Sequence, residues 1–236
     1  MTMIADNLQQ VQKRMAAACQ AAGRDAQSVR LLAVSKTFGA DAVRQAWAQG
    51  QHAFGENYIQ EGVDKITALR DLPLEWHCIG PIQSNKTRLV ATHFDWVHSV
   101  DRLKIAQRLH EQRPPQLPPL QVCIQVNIDG GPTKAGVAPG EVPALAREVQ
   151  KLDRLRLRGL MTIPEPAAGF DAACVPHRAA RALWESLQAQ GLALDTLSMG
   201  MTADLEAAIH CGSTMVRVGT AIFGGRSYPA QEPHPA

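Results

Sequence analysis

Short apolar runs recur along the chain, each followed by a segment whose apolar residues return at helical spacing, and this alternation most limits what the chain can fold into. The first run is Val29-Arg30-Leu31-Leu32-Ala33-Val34-Ser35-Lys36, and others fall at 52–55, 75–79, 96–100, 120–127, 155–161, 196–199 and 215–218. Runs this short suit strands buried on both faces of a parallel sheet. The intervening segments predict helices over 40–49, 57–69, beyond Gln83, from a cap at Asp101 to 112, and over 141–152, 175–190 and 203–210. A further amphipathic helix over 7–22 carries Leu8, Val11, Met15 and Cys19 on one face and stops near Gly23.

Repeated strand–helix units imply parallel strands joined by right-handed crossovers. An open doubly wound sheet is one solution, but eight strands of similar short length favour closure into a (β/α)₈ barrel. The expected arrangement is one barrel over 1–228 with an extra N-terminal helix, and a Pro-containing disordered tail over 229–236. The segment Arg113-Pro114-Pro115-Gln116-Leu117-Pro118-Pro119 cannot be helix interior. It reads as a loop rather than a domain linker, because a strand follows at once.

A chain of 236 residues fits one such barrel, and 45% hydrophobic with 19% charged residues fits a globular core. A formal net charge of +2 gives no reason to expect nucleic acid or anionic lipid as a partner. The five cysteines are dispersed, without zinc-like spacing, and read as reduced thiols. No secretory signal is visible, and no apolar run approaches the roughly 18–20 residues of a membrane span. The cytoplasm is the expected location.

In barrels of this kind function gathers at the C-terminal ends of the strands. Lys36 ends the first apolar run, where desolvation would lower its pKa and free the amine to attack an aldehyde; the alternative is a lysine snorkelling into solvent. Ser198-Met199-Gly200-Met201-Thr202-Ala203-Asp204 offers a glycine and a Thr helix cap, as an anion site or as an ordinary strand-to-helix turn. Arg217-Val218-Gly219-Thr220-Ala221-Ile222-Phe223-Gly224-Gly225 offers a second phosphate cradle, with Arg217 in the barrel mouth or in a structural ion pair. Walker, GxGxxG, HExxH and GxSxG patterns are absent, and no metal-ligand spacing is found among the histidines. His93 and His98 read as surface and strand residues, Asp204 and Glu165 as cap and loop residues, and the four tryptophans as packing residues rather than base-stacking platforms.

Six stretches in order resemble one family, the pyridoxal phosphate homeostasis proteins, whose barrel is shared with the N-terminal domain of alanine racemase. They are Leu32-Ala33-Val34-Ser35-Lys36-Thr37, Phe54-Gly55-Glu56-Asn57-Tyr58, Trp76-His77-Cys78-Ile79-Gly80-Pro81, Leu157-Arg158-Gly159-Leu160-Met161, Leu197-Ser198-Met199-Gly200-Met201 and Val216-Arg217-Val218-Gly219-Thr220. The resemblance implies a Schiff base between Lys36 and pyridoxal 5′-phosphate, with Arg217 facing the pyridine nitrogen. It implies that Ser198, Gly219 and Thr220 hold the phosphate, that Asn57 and Met161 line the pocket near the ring, and that His77 is a neighbour. Lys134 matches a loop lysine of the family that contacts or receives the cofactor. Phe38 and Gly39 depart from the family pattern, which often carries a basic residue and a proline there.

An arginine beside the ring nitrogen weakens the ring as an electron sink. The resemblance further implies that a racemase would draw a tyrosine from a second domain, for which the chain has no room after the eighth strand. The expectation is a non-catalytic, monomeric carrier or buffer of pyridoxal phosphate that meets apo-enzymes transiently. The alternatives are a small pyridoxal-phosphate enzyme, such as a weak amino-acid racemase, and a phosphate-ligand barrel without Schiff-base chemistry.

Overall fold

The computed structural model describes residues 2–131 and 134–225. The chain begins with helix α1 (Met3–Ala21) and then alternates β1 (Arg30–Val34), α2 (Ala40–Trp47), β2 (Ala53–Glu56), α3 (Ile59–Ala68), β3 (Glu75–Cys78), α4 (Thr87–His93), β4 (Trp96–Val100) and α5 (Leu103–Gln112). It continues with β5 (Leu120–Val126), α6 (Val142–Gln150), β6 (Leu155–Thr162), α7 (Phe170–Ala189), β7 (Thr196–Ser198), α8 (Leu205–His210), β8 (Met215–Val218) and α9 (Thr220–Phe223). The strands are all parallel and close into a barrel in sequence order, β8 pairing with β1 through Arg30↔Met215 to Ala33↔Val218. The closed eight-strand barrel expected from the alternation is therefore present. The expected tail at 229–236 lies outside the described residues.

Side chains alternate between the two faces of each strand, as the pleat requires. Ala33, Phe54, Trp76, Cys78, Val97, Val216 and Val218 point outward into the core shared with the helices. Inside the barrel, Leu32, Val34, Ala53, Ile79 and Met215 form one apolar cluster, and Trp96, Cys123 and Met161 another. Polar interior side chains, among them His77, His98, Ser198 and Arg217, decide the chemistry.

Helix α1 starts earlier than the apolar spacing suggested. Thr2 caps it by accepting from Ala5 N, and Ile4 and Ala5 are buried in the extra turn. It lies across the end of the chain: Asn7 Nδ2 donates to Ile222 O (3.0 Å), and Arg14 grips Glu206 (2.9 Å) and Thr202 O (3.1 Å). Three other expectations are corrected. Asp101 does not cap α5; it accepts from the Arg102 side chain, and Arg102 occupies the cap position. Thr202 does not cap α8; Asp204 stands there, its carboxylate accepting from Met201 N (2.7 Å) and meeting His177 Nε2 (3.0 Å). Helix α7 begins at Phe170 and carries Pro176 in its interior. A sequence argument places proline in a first turn, because its ring removes a helix hydrogen bond. Here burial of Cys174 against α8 holds the preceding turn in place.

Candidate functional site

A cavity of about 410 Å³ opens at the C-terminal ends of the strands, bordered by Lys36, Asn57, Thr202, Arg217, Gly219 and Thr220. These residues come from four separate strand ends, an arrangement typical of a barrel's functional face.

Lys36 follows β1 in a turn closed by Phe38 N donating to Ser35 O (3.1 Å), and the next residue, Thr37, takes φ = 69°. A left-handed β-branched residue is disfavoured, so the surroundings must impose it. Thr37 N donates to Glu61 Oε1 (2.6 Å). The same oxygen receives Lys65 Nζ (2.6 Å), which also reaches Ser35 O and Glu56 Oε1 (both 2.7 Å). Ser35 completes the cluster by donating to Glu56 (2.5 Å). Glu56 is buried, and desolvation raises its pKa despite the bonds from Lys65 and Ser35. This cluster fixes the backbone on both sides of Lys36 without entering the cavity.

Asn57 leaves β2 beside Gly80, where a Cβ would lie 2.1 Å from Asn57 O. Only glycine lets the two segments approach so closely. Asn57 Oδ1 is buried with no hydrogen-bond partner among the described residues. An orphaned polar atom of this kind calls for an explanation, and in a cavity wall a ligand supplies one.

Arg217 rises from the barrel floor and is almost fully buried. Nη1 donates to Ser198 Oγ (2.7 Å) and Nη2 to Thr162 O (2.8 Å). Burial pulls its pKa down to about 10, so it stays a cation at neutral pH. A guanidinium has five N–H donors; these two bonds fix its plane, and its position in the cavity wall leaves it able to meet an acceptor there. Beside it, a Cβ on Gly219 would sit 3.0 Å from Val34 O, so this part of the wall has no room for a side chain. Phe38 also borders the cavity and stacks on Phe223 at 5.2 Å.

The structure thus brings Lys36, Asn57, Arg217, Gly219 and Thr220 together, and leaves other expected residues out of the cavity wall. Ser198 is fully buried beneath Arg217, and its hydroxyl is taken up by Arg217 and His98. Met161 packs inside the barrel with Trp96 and Cys123. His77 is fully buried between Glu75 Oε1 (2.7 Å) and His98 Nε2 (2.8 Å). Lys134 is bound to Asp129 (2.9 Å), Glu165 (3.1 Å) and Ile163 O (3.1 Å). Desolvation acts downward on Lys134, but the two carboxylates outweigh it and raise its pKa.

Sequence reasoning missed two features. Thr202, read as a helix cap, lines the cavity. His98, read as an ordinary strand residue, is a fully buried interior side chain. Period-two counting from Trp96, which pairs with His77 across β3 and β4, gives the signal, since Trp96 and His98 share a face.

A family model described as the N-terminal domain of alanine racemase matches residues 4–227. The chain is 60% identical over 230 residues to a pyridoxal phosphate homeostasis protein of Pseudomonas aeruginosa, covering 98% of this chain and 99% of that protein. It is 52% identical to the protein of the same name from Escherichia coli, covering 97% and 99%. Among solved structures, PipY of Synechococcus elongatus with pyridoxal phosphate bound superposes with a TM-score of 0.82 at 38% identity, covering 94% of this chain and all of that one. An alanine racemase of Clostridium difficile shares the fold at 17% identity and a TM-score of 0.69 over 54% of its length. The chain belongs to the alanine racemase N-terminal-domain family and, within it, to the pyridoxal phosphate homeostasis proteins.

Proposed function

We propose that the protein binds pyridoxal 5′-phosphate through a Schiff base on Lys36 and carries or buffers it, without catalytic turnover of an amino acid. The observation that carries this reading is one cavity holding a strand-end lysine, a fixed guanidinium and an orphaned amide oxygen at Asn57. The bound relative PipY and the names of the curated relatives support the same cofactor.

The residues present fit the group. Lys36 supplies the amine for its aldehyde. Arg217 would meet the ring nitrogen and Asn57 would line the pocket beside the ring. Gly219, Thr220 and Thr202 border the end suited to the phosphate, with Thr202 taking the place expected of Ser198. When bound, the cofactor supplies an electrophilic aldehyde and a conjugated ring able to hold an amine reversibly. A cation at the ring nitrogen discourages its protonation and so weakens carbanion chemistry there. Racemisation needs acid–base groups on both faces of a substrate carbon. Among the described residues, no carboxylate, imidazole, phenol or thiol lines this cavity. These features favour a carrier over a catalyst; a monomer that meets apo-enzymes transiently is the form of carrier we propose. Lys134, held by its carboxylates outside the cavity, is an accessory group at most.

The test is borohydride reduction of the protein incubated with pyridoxal phosphate, followed by peptide mapping. Label on Lys36, lost in Lys36→Ala together with the visible absorbance band, is the expected result. A colourless, unlabelled protein, or label confined to another lysine, refutes the reading, and sustained turnover of D- or L-amino acids refutes the carrier role.

A further inference from the structure

A file of polar side chains crosses the barrel interior beneath the cavity. Glu75, at the start of β3, accepts from Arg30 Nη2 (2.7 Å) and lies 2.7 Å from His77 Nε2. His77 Nδ1 lies 2.8 Å from His98 Nε2, and His98 Nδ1 lies 2.9 Å from Ser198 Oγ. Arg217 Nη1 closes the file on Ser198 Oγ at 2.7 Å. Both rings and the Ser198 hydroxyl are fully buried, while Glu75 is one-third exposed at the opposite mouth of the barrel. The His77 ring also lies flat against Trp96 at 5.2 Å, with the Arg158 guanidinium 4.8 Å from the Trp96 ring centroid.

The protons in this file have one consistent order. A guanidinium only donates, so Ser198 Oγ accepts from Arg217 and has a single proton left to give. An ionised carboxylate only accepts, so His77 Nε2 carries a proton for Glu75. A neutral imidazole has one N–H, which leaves His77 Nδ1 bare to accept from His98 Nε2. His98 Nδ1 is then bare and accepts from Ser198. Every donor points toward Glu75. Reversing the order would place two donors on Ser198 Oγ and demand a protonated Glu75. Burial disfavours a charge on either ring: desolvation lowers the pKa of His77 and, reinforced by the positive fields of Arg217 and Arg30, that of His98. Desolvation acts upward on Glu75, but the hydrogen bonds from His77 and Arg30 and the Arg30 charge outweigh it, so its pKa is lowered and it stays ionised.

We infer that His77 and His98 are positioning residues, locked as neutral Nε2–H tautomers, which link the carboxylate of Glu75 to Arg217 as an aligned file of dipoles and so fix the plane and charge of the guanidinium facing the cavity. The cofactor's ring electronics are thereby set partly by a residue at the far end of the barrel. The inference deepens the proposed binding of pyridoxal phosphate beside Arg217 and rests on it only for its spectroscopic consequence.

Long-range 1H–15N NMR of the histidine-labelled full chain without cofactor tests the file directly. Both rings should show the Nε2–H pattern, unchanged between about pH 8 and pH 6. A Nδ1–H tautomer, a mixture or an imidazolium at either ring overturns the inference. In the protein loaded with pyridoxal phosphate, Glu75→Gln keeps the acceptor and removes the charge. The pH midpoint of the lysine-linked chromophore should fall by about half a unit, since loss of a negative charge disfavours a nearby cation. His98→Leu, which cuts the file, should move it the same way. Wild-type midpoints in both variants overturn the inference, provided Lys36 is still labelled by borohydride. Loss of labelling in the wild type instead refutes the cofactor reading and leaves the NMR result standing.

Discussion

Acid should unfold this barrel in a way that one buried imidazole makes measurable. His98 is fully buried, and its pKa is lowered well below 6.5 by desolvation first and by the positive fields of Arg217 and Arg30 next. In the unfolded chain the ring regains its ordinary value. A base whose folded pKa is depressed contributes nothing adverse above the unfolded value; below it the unfolded state takes up a proton that the folded state refuses. Stability therefore falls as pH drops through 6.5, by about 1.4 kcal/mol per unit for one such group. Urea unfolding followed by tryptophan fluorescence at about pH 8 and pH 5.5 reads this loss. In His98→Gln the titrating group is gone, so the acid-induced loss should shrink by about 1.4 kcal/mol relative to the wild type. The variant will also be weaker at pH 8, by roughly 1–3 kcal/mol, because His77 and Ser198 lose a buried partner. That offset is separate from the slope. Parallel stability profiles in the two proteins would show that His98 is protonated in the folded state and that the proton order assigned to the interior file is wrong.

Further predictions concern the walls of the site. Lys65→Met leaves the buried Glu56 carboxylate without its cation and should cost about 3–5 kcal/mol by urea unfolding; a loss under about 1 kcal/mol would show that the cluster does not hold the Lys36 turn. Thr37→Gly removes the left-handed strain of a β-branched residue and should be neutral or stabilising by about 1 kcal/mol; a marked loss would show that the Thr37 side chain itself is needed. Gly80→Ala drives a methyl into Asn57 O and should weaken pyridoxal phosphate retention in equilibrium dialysis along with stability; retention equal to the wild type would disprove the close packing behind Asn57.

The fold was legible because strand and helix periods alternate without a break, and in a buried parallel sheet each apolar run can be little else. Lys36, Asn57, Arg217, Gly219 and Thr220 were legible because they stand at strand ends, where the barrel architecture itself collects groups. What stayed hidden has a common physical origin. Ser198 and Thr202 are four residues apart across one strand-to-helix turn, and both are hydroxyls. Only the parity of β7, which turns Ser198 inward, separates the residue beneath Arg217 from the one at the cavity wall. His98 was rightly read as a strand residue, but its role was hidden because a histidine inside an apolar run gives no hint of its partners. Those partners, Ser198 and His77, lie 100 and 21 residues away and meet it only once the sheet closes. The start of α7 was hidden by Pro176, whose penalty is offset by burial of Cys174 that no local pattern reveals.

The grip of α1 on Glu206, Thr202 O and Ile222 O has a consequence for how the protein comes into being. Helix α1 has its partners far along the chain, up to 215 positions later. Until those residues emerge, α1 has nothing to grip and β8 cannot seal against β1. Contacts of such long sequence separation form late and slowly. The cavity that Thr202 and Thr220 border is thus completed only after that segment has been made, and a product cut short before it should retain no pyridoxal phosphate.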